Sequence, residues 1–125
     1  MLRTRSVVEG VVALAAIAVV ALALPPLSLA VDESAMPPAS ALPALPEGAR
    51  VTGEDMGCGS GGCWLELTVD APHWMSGEEL AAEVLPDGRL CAFQGTFDLR
   101  RVCSWVMETE AESVQVNLQY ERWLD

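Results

Sequence analysis

Residues 11 to 24 read Val-Val-Ala-Leu-Ala-Ala-Ile-Ala-Val-Val-Ala-Leu-Ala-Leu, fourteen consecutive positions without a polar side chain. A helix made from them is apolar on every face, so it needs either a large protein or a membrane around it. A chain of 125 residues cannot supply the protein. Arg3 and Arg5 precede the run, and Asp32 and Glu33 follow it. That asymmetry places the N-terminus in the cytoplasm and the remainder outside.

Two readings of the segment share this topology. As a signal peptide, it has a run of suitable length followed by the small-x-small site Ser28-Leu29-Ala30, with cleavage after Ala30. As an uncleaved anchor, the fourteen residues alone span about 21 Å, short of a hydrocarbon core of roughly 30 Å. Adding Ser6 to Gly10 brings the stretch to nineteen residues and sufficient length, with Glu9 at the cytoplasmic interface. No cysteine follows the run as a lipoprotein signal would require, and Thr4 separates the two arginines that a twin-arginine signal would pair.

The chain then divides into an N-terminal apolar segment (1–24), a Pro/Ala-rich linker (25–49) and a small extracytoplasmic domain (50–125). The linker holds six of the eight prolines, at 25, 26, 37, 38, 43 and 46. Proline at that density favours extended, solvated backbone and predicts a semi-rigid spacer.

Charge excludes some partners. Beyond residue 30 there are seventeen acidic residues against five arginines, a balance of −12. Such a domain repels nucleic acid, and its net charge opposes anionic head groups.

About seventy-five residues make a marginal core that needs reinforcement. Cys58, Cys63, Cys91 and Cys103, an even number in an exported domain, predict two disulfides. Of the three connectivities, local geometry favours Cys58–Cys63, around a glycine-rich loop, and Cys91–Cys103, around a turn at Gly95.

Hydrophobic alternation predicts strands over Cys63–Asp70, Arg101–Glu108 and Ser113–Glu121, the last two joined as a hairpin through 109–112. Ser76-Gly77-Glu78-Glu79 is a capping box opening a helix with Leu80, Ala81, Val84 and Leu85 on one face, stopped at Pro86-Asp87-Gly88. The fold class is therefore α+β: strand-helix-strand-strand, one helix on a small three-stranded antiparallel or mixed sheet, after the N-terminal transmembrane or signal helix. A right-handed crossover would put the last strand between the other two. Arg89–Phe93 is a short, weakly patterned extended piece, and which face of Arg101–Glu108 is buried stays open.

Gly57-Cys58-Gly59-Ser60-Gly61-Gly62-Cys63-Trp64 is the most distinctive stretch. A thiol–disulfide active site normally spaces its cysteines closer and starts a helix. A zinc site lacks a second close ligand pair, and a phosphate loop lacks both helix and Lys. A structural disulfide loop is the simplest account. His73 sits in no catalytic motif, and no cofactor or metal pattern is present. Trp64, Trp74, Trp105 and Trp123 are many for so small a domain. Trp64 has the parity of Glu66 and Thr68, so it faces away from the buried side and is a candidate binding surface.

The stretch at 58–64, the helix beginning at Ser76, and Arg100-Arg101-Val102-Cys103 resemble small uncharacterised exported proteins of high-GC actinobacteria. That resemblance implies no activity. The expected function is an interaction module of the cell envelope, membrane-tethered or secreted, with an envelope protein as partner. The alternative is a thiol–disulfide redox protein using Cys58 and Cys63.

Overall fold

A computed structural model describes residues 2–29, 32 and 34–122. The elements run α1 (Leu2–Ser28), a single 3₁₀ turn (Ala39–Ala41), β1 (Arg50–Gly59), β2 (Gly62–Asp70), α2 (Gly77–Val84), β3 (Arg89–Gly95), β4 (Asp98–Thr109) and β5 (Ser113–Glu121). The fold is α+β, but the sheet has five strands, not three, in the order β1-β2-β5-β4-β3 with every pair antiparallel. The last strand does lie between the two it was expected to join.

The two extra strands are the edges, and both have a reason to be weak in sequence. β1 carries Gly53, Gly57 and Gly59 with Glu54 and Asp55 between them, residues depleted in strands. Its pairing with β2 comes from the partner strand, through a tight turn at Ser60-Gly61 where Gly62 takes φ 109°. β3 is exposed over most of its length, so it shows no alternation.

α1 is also longer than expected. It passes through Pro25 and Pro26 before ending at Ser28. Each proline removes the N–H that would bond the carbonyl four residues earlier, and Ser28 Oγ donates to the carbonyl of Pro25 (2.7 Å).

One sheet face carries the core. Leu65, Leu67 and Val69 of β2 stand beside Val114, Val116, Leu118 and Tyr120 of β5, all buried. The β4–β5 register puts Val102 opposite Tyr120, Ser104 opposite Leu118 and Val106 opposite Val116. Directly opposed residues share a face, so this is the buried side of β4. α2 covers it with Leu80, Ala81, Val84 and Leu85. Ser76 Oγ accepts from the Glu79 N–H (3.1 Å), the cap the sequence specifies. A Cβ at Gly77 would lie well within 3.0 Å of the carbonyl oxygens of Glu110 and Ser113, so only glycine lets α2 start against the β4–β5 link.

The stretch read as a solvated spacer covers the rest of this face. Ala35, Ala39, Ala41, Leu42, Leu45 and Ala49 pack against the core cluster. Small apolar residues between the prolines let an extended chain lie flat on the sheet. Leu29, one residue past α1, is itself in the core at 3 % exposure.

Candidate functional site

Three features bear on function: the disulfides, the face of the sheet opposite α2, and a groove at one end of the sheet.

Both disulfides pair as the sequence predicts. Cys58–Cys63 joins directly opposed positions of β1 and β2, with Cα atoms 4.1 Å apart. Cys91–Cys103 does the same for β3 and β4 at 4.0 Å. Each bond therefore ties an edge strand to its inner neighbour. Neither cysteine pair opens a helix, where a dipole would lower a thiol pKa. Cys91, Cys103 and Glu121 lie close enough to hold a metal, but disulfide sulfurs are not thiolate ligands.

The face opposite α2 holds Trp64, Glu66, Asn117, Gln119 and Trp105. Trp64 faces away from the core, as its parity requires, yet it is half-buried rather than exposed. Its indole lies across the backbone of β1: a Cβ on Gly57 would fall well within 3.0 Å of the ring, and one on Gly59 at 3.4 Å. Nε1 donates to Glu66 Oε1 (2.9 Å). Gly57 and Gly59 are thus the seat of an aromatic ring. Trp105 is also half-buried, with Nε1 3.0 Å from Met107 Sδ. Between Glu66 and Trp105 in register stands Asn117, 3 % exposed, whose Oδ1 has no hydrogen-bond partner among the described residues. Trp123 lies outside the described residues.

The groove lies where β2 ends and β5 begins. Asp70, Pro72, His73, Trp74, Glu110 and Glu112 line an open cleft of about 800 Å³. Backbone bonds fix its walls: Ala71 N–H to Glu112 O (2.8 Å), Gly77 N–H to Ala111 O (3.1 Å) and Glu110 N–H to Ser113 O (2.8 Å). Trp74 is 60 % exposed, with His73 edge-on at 4.9 Å between ring centroids. His73 itself is exposed. The walls of this cleft carry three carboxylates, and Arg50 lines the adjoining cavity on the other side of Asp70, His73 and Trp74. Strand parity in the sequence singles out Trp64 as the exposed indole, whereas the structure gives that place to Trp74. The signal was available: Trp74 follows Pro72 in a loop, whereas Trp64 sits on a strand beside glycines able to receive it.

The opposite end of the sheet meets α1. Arg122 donates to the backbone carbonyls of Leu29 and Asp32, the latter at 3.0 Å. Nearby, Arg101 pairs with Glu121 (2.9 Å) and Arg100 with Asp98 (Nε to Oδ1, 2.9 Å). The side-chain bond from Arg100 holds the Asp98 carboxyl below the usual carboxylate range, and the reciprocal bond raises Arg100. Tyr120 is pushed up by burial, and its hydroxyl donates to Gln94 Oε1 (2.6 Å).

No family model, no curated protein and no solved structure matches the chain. The helix α1 has the length and composition of a membrane span or a signal sequence, and two disulfides suit an oxidising, extracytoplasmic compartment.

Proposed function

We propose that this chain is a single-pass membrane protein whose uncleaved anchor holds an interaction module against the outer surface of the membrane. The carrying observation is that α1 does not stop short of the domain. Leu29 is a core residue and its carbonyl is bound by Arg122. Cleavage after Ala30 would remove Leu29 from the core it helps build. Ala30 and Val31, the two sides of that bond, lie outside the described residues.

The groove around Trp74 is the partner-facing surface. β5 runs from the groove at Ser113 to the α1 junction at Glu121, nine residues, or about 27 Å of strand. The groove therefore sits at the membrane-distal end. An exposed indole beside Asp70, Glu110 and Glu112 fits a cationic segment of an envelope protein, through cation–π and charge-assisted contacts. The redox alternative has less support, because each cysteine pair spans two strands of a rigid sheet.

A photo-crosslinking amino acid at position 74 of the full chain in its own envelope tests this reading. Adducts at 74 that are missing when the probe replaces exposed Glu83 on α2 are expected. Identical adducts at both sites, or none at 74, would overturn it.

A further inference from the structure

Phe97 is 82 % exposed, the most exposed large apolar side chain among the described residues. It occupies the tip of the β3–β4 turn, where Gly95 pairs with Asp98. An aromatic ring held out at a two-residue turn contributes nothing to the core, and the groove is at the far end of the sheet.

Its position relative to α1 gives it a partner. Arg101 of β4 is opposite Glu121, next to the Arg122 that binds Leu29. From that level the β3–β4 hairpin runs on for three more residues to Asp98, or about 10 Å, with Thr96 and Phe97 beyond. α1 contacts β4. Residues 22, 23, 25 and 26 are at least half-buried, whereas residues 3–21 are all exposed. The stretch from Leu22 to Ser28 is seven residues, or about 10 Å of helix. A hydrocarbon core of roughly 30 Å takes about twenty residues of helix, so a span that starts at Ser6, past Arg3 and Arg5, ends near Pro25 and leaves only the last few residues of α1, about 5 Å, outside. The turn tip, about 10 Å beyond the level of Arg101, therefore reaches the depth at which α1 enters the bilayer.

Charge at this end permits contact. Asp98 and Glu121 are each in an ion pair with an arginine, and Asp32 lies beside Arg122. Asp70, Glu110 and Glu112 are at the distal groove. Asp32, Asp98 and Glu121 at this end are thus each matched by an arginine, so these carboxylates do not oppose contact with head groups.

We propose that the β3–β4 turn docks on the outer leaflet, with the Phe97 ring inserted at the boundary of head groups and acyl chains. This rests on the anchor reading and adds to it a fixed orientation: one edge of the sheet against lipid, the groove pointing away.

The chain has two phenylalanines, so biosynthetic fluorophenylalanine gives two fluorine resonances, at 93 and 97, assigned by the loss of one in Phe97→Leu. The full chain is reconstituted into vesicles of phosphatidylethanolamine and phosphatidylglycerol, and flotation after an alkaline wash reads the anchor separately. A nitroxide placed high on the lipid acyl chain should broaden the residue 97 resonance severalfold more than that of 93, and a water-soluble paramagnet should do the reverse. Floating protein whose residue 97 is reached from water and not from lipid would overturn the docking and leave the anchor standing. Protein that fails to float would overturn both.

Discussion

Gly57 and Trp64 form a coupled pair whose energetics follow from the geometry. A Cβ on Gly57 falls well within 3.0 Å of the indole, so in Gly57→Ala the ring must leave its seat and strain its bond to Glu66. Overpacking of this kind costs about 1–3 kcal/mol, against a gain of about 0.5–1 kcal/mol for removing glycine from a strand. The net expectation is a loss of about 1–2 kcal/mol, or roughly 4–16 °C in Tm for a domain of this size. In a Trp64→Ala background the ring is gone and only the gain remains, so the same substitution should stabilise by about 0.5–1 kcal/mol. The coupling in the double-mutant cycle is then about 2 kcal/mol. Urea unfolding of the full chain in detergent, with disulfides intact and near-ultraviolet dichroism as the probe, measures all four corners. An effect of Gly57→Ala with the same sign and size in both backgrounds would refute the account of why β1 is rich in glycine.

Three further outcomes are expected. Leu29→Ala should cost about 2–5 kcal/mol whereas Leu27→Ala, at an exposed position, should be nearly neutral in the same urea assay; equal effects would show that α1 ends outside the core. Removing the disulfides as Cys-to-Ser pairs should cost about 2 kcal/mol for 58–63 and about 3 for 91–103 by loop entropy, with no crossed peptide in a non-reducing map; a fragment joining Cys63 to Cys103 would refute the pairing. Because Asp98 has its carboxyl lowered by Arg100, that pair adds stability above the unfolded carboxyl value near pH 4, and the gain is lost as pH falls through the lower folded value. Asp98→Asn should therefore flatten the acid limb of the stability curve, and an unchanged limb would contradict the pair's contribution.

The parts of the fold legible in sequence are those whose local pattern agrees with their tertiary role. β2 and β5 alternate because one face of each is buried, and α2 announces itself through Ser76 and its apolar face. β4 was legible as a strand but not in orientation: Val102-Cys103-Ser104-Trp105-Val106 puts plausible core residues on both faces, and only the register with β5 decides. β1 was not legible, since Gly57 and Gly59 serve an indole seven and five residues away in the next strand. The linker misled for a related reason: proline content disfavours regular helix and sheet, yet α1 runs through Pro25 and Pro26 to Ser28, and it does not say whether the residues that follow lie on the protein. For the candidate site, the disulfides followed from local loop geometry. The groove needed the end of β2, the start of α2 and the β4–β5 link to meet, which no single stretch encodes.

The mature N-terminus of the protein isolated from its own membrane tests the central proposal most directly. If the last turn of α1 is part of the domain, intact-mass and N-terminal peptide analysis should find the whole apolar segment retained, with peptides covering Leu29, Ala30 and Val31 in one stretch. A mature chain beginning at Val31 would contradict it, and would mean that the domain is released and holds together without Leu29.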